Sequence, residues 1–126
     1  SENLKPILCI GESINERKSN NHLKIIKNQL KICVPNYIKE IIIAYEPIWS
    51  IGSGIIPTIN EIIEIQETIL DFLRNTKKIK KILFLYGGSV DSTNFKFIMK
   101  NTNVNGFLIG SASLKFKEMN KILTFS

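Results

Sequence analysis

Four short apolar runs limit what this chain can become. They are Ile7-Leu8-Cys9-Ile10, Ile41-Ile42-Ile43-Ala44-Tyr45, Ile82-Leu83-Phe84-Leu85-Tyr86 and Phe107-Leu108-Ile109. Each is continuous rather than alternating, the pattern of strands buried on both faces of a parallel sheet. Helical patterns lie between them. Leu23, Ile26, Leu30 and Cys33 make one stripe. Thr58 and Glu61 form a capping box before an apolar face of Ile59, Ile62, Ile63, Ile69, Leu70 and Leu73. Arg74 and Lys77 then close that helix at its negative end. Asp91 or Ser92 is placed to cap a helix carrying Phe95, Ile98 and Met99, and Leu114 to Leu123 reads as a weaker final helix. Strand and helix thus alternate four times without a linker, which predicts one α/β unit over residues 1–126 with right-handed crossovers. Two closures fit: a small doubly wound open sheet, or half of an eight-stranded (β/α) barrel of about 250 residues. The pattern alone does not separate them.

The net charge of +6 comes from scattered lysines, with small clusters at Lys77-Lys78 and Lys80-Lys81. No aromatic RNA-binding motif, zinc spacing or recognition-helix pattern accompanies them, so nucleic acid is not an expected partner. The excess suits a small anionic substrate. No apolar run approaches the roughly 20 residues of a membrane span. The start, "SENLKPILCIGE", lacks the marks of a signal peptide and leads almost directly into a strand, as though something could precede it. Cys9 and Cys33 make no disulfide framework. Their apolar settings predict buried free thiols and a reducing, cytoplasmic location.

In either closure, functional groups gather at the carboxyl ends of the strands. Those positions hold Gly11-Glu12, Glu46-Pro47, Gly87-Gly88-Ser89 and Gly110-Ser111. Taken singly, the glycines read as tight turns. Jointly, before helices on consecutive strands, they point to a bound phosphate. Glu46 is the only acid between Ile41 and Thr58. It could simply pair with a lysine. However, Pro47 fixes the backbone behind it, and a carboxylate in an apolar pocket becomes a better base near neutral pH. The following "IWSIGSGIIPT" carries Gly52 and Gly54 between Pro47 and Pro57, the composition of a lid with stiff ends and a mobile tip.

At these residues the sequence resembles the triosephosphate isomerase family, specifically its C-terminal half, strands five to eight of a (β/α)8 TIM barrel. The resemblance is carried by "CIGE" at Cys9–Glu12 with "ER" at Glu16-Arg17, "AYEPIWSIGSG" at Ala44–Gly54, "LYGGSV" at Leu85–Val90 and "NGFLIGSASLK" at Asn105–Lys115. It implies interconversion of dihydroxyacetone phosphate and glyceraldehyde 3-phosphate, in glycolysis and gluconeogenesis, with no cofactor or metal. It implies Glu46 as the general base and the N–H groups of Gly52, Ser89, Gly110 and Ser111 as phosphate donors. Pro47, Trp49 and Gly54 fall in the lid. Tyr86 and Ser89 would hydrogen-bond the closed lid, Glu12 would steady Trp49, and Arg17 would belong to the same supporting shell. The family's complete enzyme is a homodimer.

Three departures stand out. Ile55-Ile56-Pro57 replaces the lysine and small residues usual at the end of the lid, and Gly110-Ser111 stands where Gly-Gly is common. The family's first four strands, with an Asn-x-Lys motif and an electrophilic histidine, have no counterpart in the chain. Its one histidine, His22 in "NNHLK", is expected to face solvent. The chain alone is therefore expected to show negligible isomerase activity and to associate with an N-terminal half or a second half-barrel. The alternative is a non-catalytic, phosphate-binding or self-associating half-barrel.

Overall fold

The computed structural model describes residues 4–125. Strands β1 (Ile7–Ile10), β2 (Glu40–Tyr45), β3 (Lys81–Tyr86) and β4 (Gly106–Phe107) form one parallel sheet in the order β1-β2-β3-β4. Helices α1 (Ile14–Lys18) and α2 (His22–Cys33) follow β1, and α3 (Ile59–Asp71) follows β2. Helix α4 (Phe95–Asn101) follows β3, and α5 (Phe116–Leu123) follows β4 after a 3-10 turn at Ser111–Leu114. A doubly wound sheet reverses its strand order at a switch point. This sheet never does, so it is half of a TIM barrel.

The register fixes which residues share a face. Ile7, Ile42 and Leu83 align across the strands, and so do Cys9, Ala44 and Leu85. Residues of the opposite parity, Ile43 and Phe84 among them, pack outward against the helices. That side holds the core, with Ile26 and Leu30 of α2 and Ile62, Ile65 and Ile69 of α3 fully buried.

The strands are not buried on both faces. Ile7 is 43% and Leu83 46% exposed, because four strands cannot enclose their own inner face. Cys9 lies on that face and is exposed, and Cys33 is exposed at the end of α2, where the neighbouring Val34 takes the buried position. The expectation of two buried thiols therefore fails. His22 does not face solvent either. It is buried as the first residue of α2, with Nε2 3.0 Å from Glu64 Oε2 on α3.

Several boundaries shift. The stretch read as a fourth strand over Phe107–Ile109 pairs only through Gly106–Phe107. Helix α3 runs into a π turn at Phe72–Thr76. Beyond it, Lys77 Nζ reaches the Val34 carbonyl at 2.7 Å and Asn36 Oδ1 at 2.7 Å, so it serves the end of α2 rather than that of α3. Asp91 Oδ1 accepts from the N–H groups of Thr93 and Asn94 in the turn before α4. Met99 is partly exposed. The capping box of Ser13 and Glu16 that opens α1 went unread in the sequence. No described helix is long and apolar enough to cross a membrane.

Candidate active site

Glu46 follows β2 directly, and the ladder continues past the strand. Glu46 N–H donates to Ile10 at 2.8 Å, Gly87 N–H to Tyr45 at 3.0 Å and Leu108 N–H to Tyr86 at 2.9 Å. Two residues beyond Ala44, Glu46 therefore shares the inner face with Cys9. Its neighbours make room for it. A Cβ on Gly11 would overlap the Glu46 carbonyl oxygen. A Cβ on Gly87 would stand 2.9 Å from Glu46 Cγ, 3.1 Å from its Oε1 and 3.1 Å from Leu108 Cβ. Gln29 of α2 satisfies the Gly11 backbone at both ends, accepting from its N–H at 3.1 Å and donating to its carbonyl at 2.9 Å. Partial burial, then the adjacent Glu46 carboxylate, pushes the Cys9 thiol up to about 11.

Residues 47–57 arch from the end of β2 to α3. At the near end, Ile48 N–H donates to the Glu12 carbonyl at 3.0 Å and Trp49 Nε1 to Glu12 Oε1 at 3.1 Å. Pro47 is buried, and its carbonyl accepts from Ser50 N–H at 2.9 Å. At the tip, Gly52 and Gly54 adopt φ of +66° and +77°, where nothing crowds a side chain and only the backbone conformation asks for glycine. The tip rests on the β3 loop. Gly54 N–H donates to Ser89 Oγ at 3.0 Å, and Ser89 Oγ donates to the Ser50 carbonyl. Ser89 itself is held at φ +49°, a sparsely populated conformation for a residue with a side chain. Tyr86 spends its hydroxyl proton on the Gly88 carbonyl at 2.8 Å, within its own loop. Burial pushes that phenol up to about 12, with Ser50 beside it opposing the shift. A Cβ on Gly88 would collide with both the Tyr86 hydroxyl and Ser50 Oγ.

Glu12 lies under this arch, fully buried. Its Oε1 accepts from Arg17 Nε at 2.6 Å, the Tyr45 hydroxyl at 3.1 Å and Trp49 Nε1 at 3.1 Å. Arg17 also reaches the Tyr45 hydroxyl at 3.1 Å and Glu61 Oε1 at 3.2 Å, and its guanidinium sits 5.7 Å from the Trp49 ring centre. A buried carboxylate needs such a partner.

The N–H groups of Gly52, Ser89, Gly110 and Ser111 donate to no group among the described residues. Gly110 and Ser111 begin the exposed turn after β4, the strand that pairs with β3, whose loop holds Ser89. The structure thus joins Glu46 to Gly87 and the arch to Glu12 and Ser89, while among the described residues Gly110 and Ser111 form no hydrogen bond with either group. A groove of about 560 Å³, lined by Ile7, Tyr37 and Leu83 among others, opens at the opposite ends of the strands. The sequence reading did not single out Gln29, Tyr45, Ser50 or Glu61 as parts of the site. Glu61 had a signal in its capping box, and Tyr45 in its place beside Glu46. Gln29 and Ser50 had none.

These features define half of a TIM-barrel protein, with a carboxylate and an arching loop at the carboxyl ends of its strands. The sequence profile of the family "Triosephosphate isomerase" matches residues 1–126, and the chain belongs to that family. The triosephosphate isomerase of Amoebophilus asiaticus is 42% identical over 127 residues, covering 95% of this chain and 50% of the relative. That of Buchnera aphidicola is 40% identical over 130 residues (98% and 51%), and that of Francisella tularensis subsp. mediasiatica 37% over 126 residues (95% and 50%). The chain spans about half the length of these curated relatives.

Proposed function

We propose that the chain is the base-carrying half of a triosephosphate isomerase. It would interconvert dihydroxyacetone phosphate and glyceraldehyde 3-phosphate in glycolysis and gluconeogenesis. The supporting observation is the position of Glu46, on the inner face at a strand end, with Gly11 leaving room for its carbonyl and Gly87 for its side chain. Glu46 removes a proton from the carbon beside the substrate carbonyl and returns one to the neighbouring carbon of the enediolate. The unspent N–H groups of Gly52, Ser89, Gly110 and Ser111 hold the phosphate. Residues 47–57 are the lid, which excludes water and protects the enediolate from losing phosphate. The reaction needs no cofactor and takes place in the cytoplasm.

The first four strands supply the electrophile that polarises the carbonyl. Losing one preorganised donor typically costs about 10²–10³ in rate, so the chain alone is inactive. It works with an N-terminal half, and the complete enzyme is a homodimer. The test is to mix the chain with a separately expressed N-terminal half of an isomerase and to assay conversion, with Glu46→Gln as control. Activity that requires Glu46 supports the reading, and no activity from any mixture refutes it. The exposed Ile7 and Leu83 favour a second reading, a non-catalytic half-barrel that pairs with a copy of itself. Sedimentation of the chain alone reads that outcome.

A further inference from the structure

Arg17 links the two ends of the arch. From the near end, Trp49 Nε1 donates to Glu12 Oε1, which takes Arg17 Nε at 2.6 Å. From the far end, Thr58 N–H and Oγ1 donate to Glu61 Oε2 at 2.8 and 3.0 Å, and the other oxygen of Glu61 takes Arg17 Nη1 at 3.2 Å. One planar guanidinium thus grips two carboxylates that each hold one end of the segment, and a third bond to Tyr45 fixes its orientation. The Arg17 side chain is 11% exposed and that of Glu12 fully buried, so the nearer pair is shielded from solvent. Above this base, Ser50 Oγ donates to the Ile55 carbonyl and closes the tip on itself.

We infer that Arg17 is a positioning residue that couples the Trp49 end of the lid to the Thr58 end, so that the two ends are released together. The inference deepens the lid reading, but its test measures the segment rather than turnover, so either can fail without the other. Trp49 is the chain's single tryptophan and reports the near end through acrylamide quenching. The Thr58 amide reports the far end through hydrogen exchange.

Glu61→Gln keeps an oxygen and a donor at the cap but removes the charge that Arg17 grips. With coupling, it raises the Trp49 quenching constant about twofold or more, the loss of a charge-assisted bond propagating along the chain of contacts. Arg17→Lys keeps the charge but not the fork. It speeds Thr58 exchange about tenfold while also freeing Trp49. Exchange in β2 and β3 is unchanged in both variants and certifies the fold. Unchanged Trp49 quenching in Glu61→Gln overturns the inference. So does an Arg17→Lys variant that frees Trp49 and leaves Thr58 protected, since Arg17 would then only neutralise Glu12.

Discussion

Adding one methyl group at Gly87 tests how closely the carboxylate is placed. The Gly87 backbone does not lie in the left-handed region, so alanine brings no conformational strain, only volume. That volume meets Glu46 Cγ at 2.9 Å and Glu46 Oε1 and Leu108 Cβ at 3.1 Å each. Leu108 is fixed by its bond to the Tyr86 carbonyl, and so the side chain that yields is Glu46. Overpacking of this kind costs about 1–3 kcal/mol. A displacement of the base by about 1 Å costs about 10² in rate. In the barrel reconstituted with an N-terminal half, Gly87→Ala should therefore lower kcat about 10²-fold with KM nearly unchanged, since the phosphate donors are not crowded. Urea unfolding of the chain should move by the overpacking cost. A Gly87→Ala enzyme with wild-type kcat and an unshifted unfolding midpoint would refute the argument that crowding at this glycine positions Glu46.

Glu12→Ala should destabilise the chain by about 3 kcal/mol in urea unfolding, because it leaves the mostly buried Arg17 with only the more exposed of its two carboxylates, Glu61. With its pKa pushed up to about 11, the Cys9 thiol should alkylate slowly at pH 8 despite its exposure, and its labelling rate should climb through pH 11. The folded chain holds that proton more tightly than the unfolded one. The contribution to stability is thus present below about pH 9 and lost as pH rises toward 11, a decline that Glu46→Gln should shrink in pH-dependent unfolding. Leu83→Lys places a charge on the open inner face. It should leave monomer stability within about 0.5 kcal/mol and shift sedimentation toward monomer.

The strands and their order were legible because a parallel sheet writes itself as apolar runs punctuated by glycine. The open inner face was not, since Ile7 and Leu83 look the same in sequence whether or not anything covers them. Gly87 was read through its turn and its possible phosphate, while the crowding by Glu46 depends on cross-strand register. The same register brings Cys9 beside Glu46 from 37 positions away in the numbering. His22 misled because its polar flanks hide that the first residue of α2 turns toward Glu64. Lys77 misled because its acceptors belong to a helix more than 40 residues earlier.

Among the described residues, the arch is tied to the rest of the chain at Glu12, after β1, and at Ser89, after β3, the loops on either side of its own strand. Its position is therefore set jointly by the loops after β1 and β3, and a shift of either one reaches it directly.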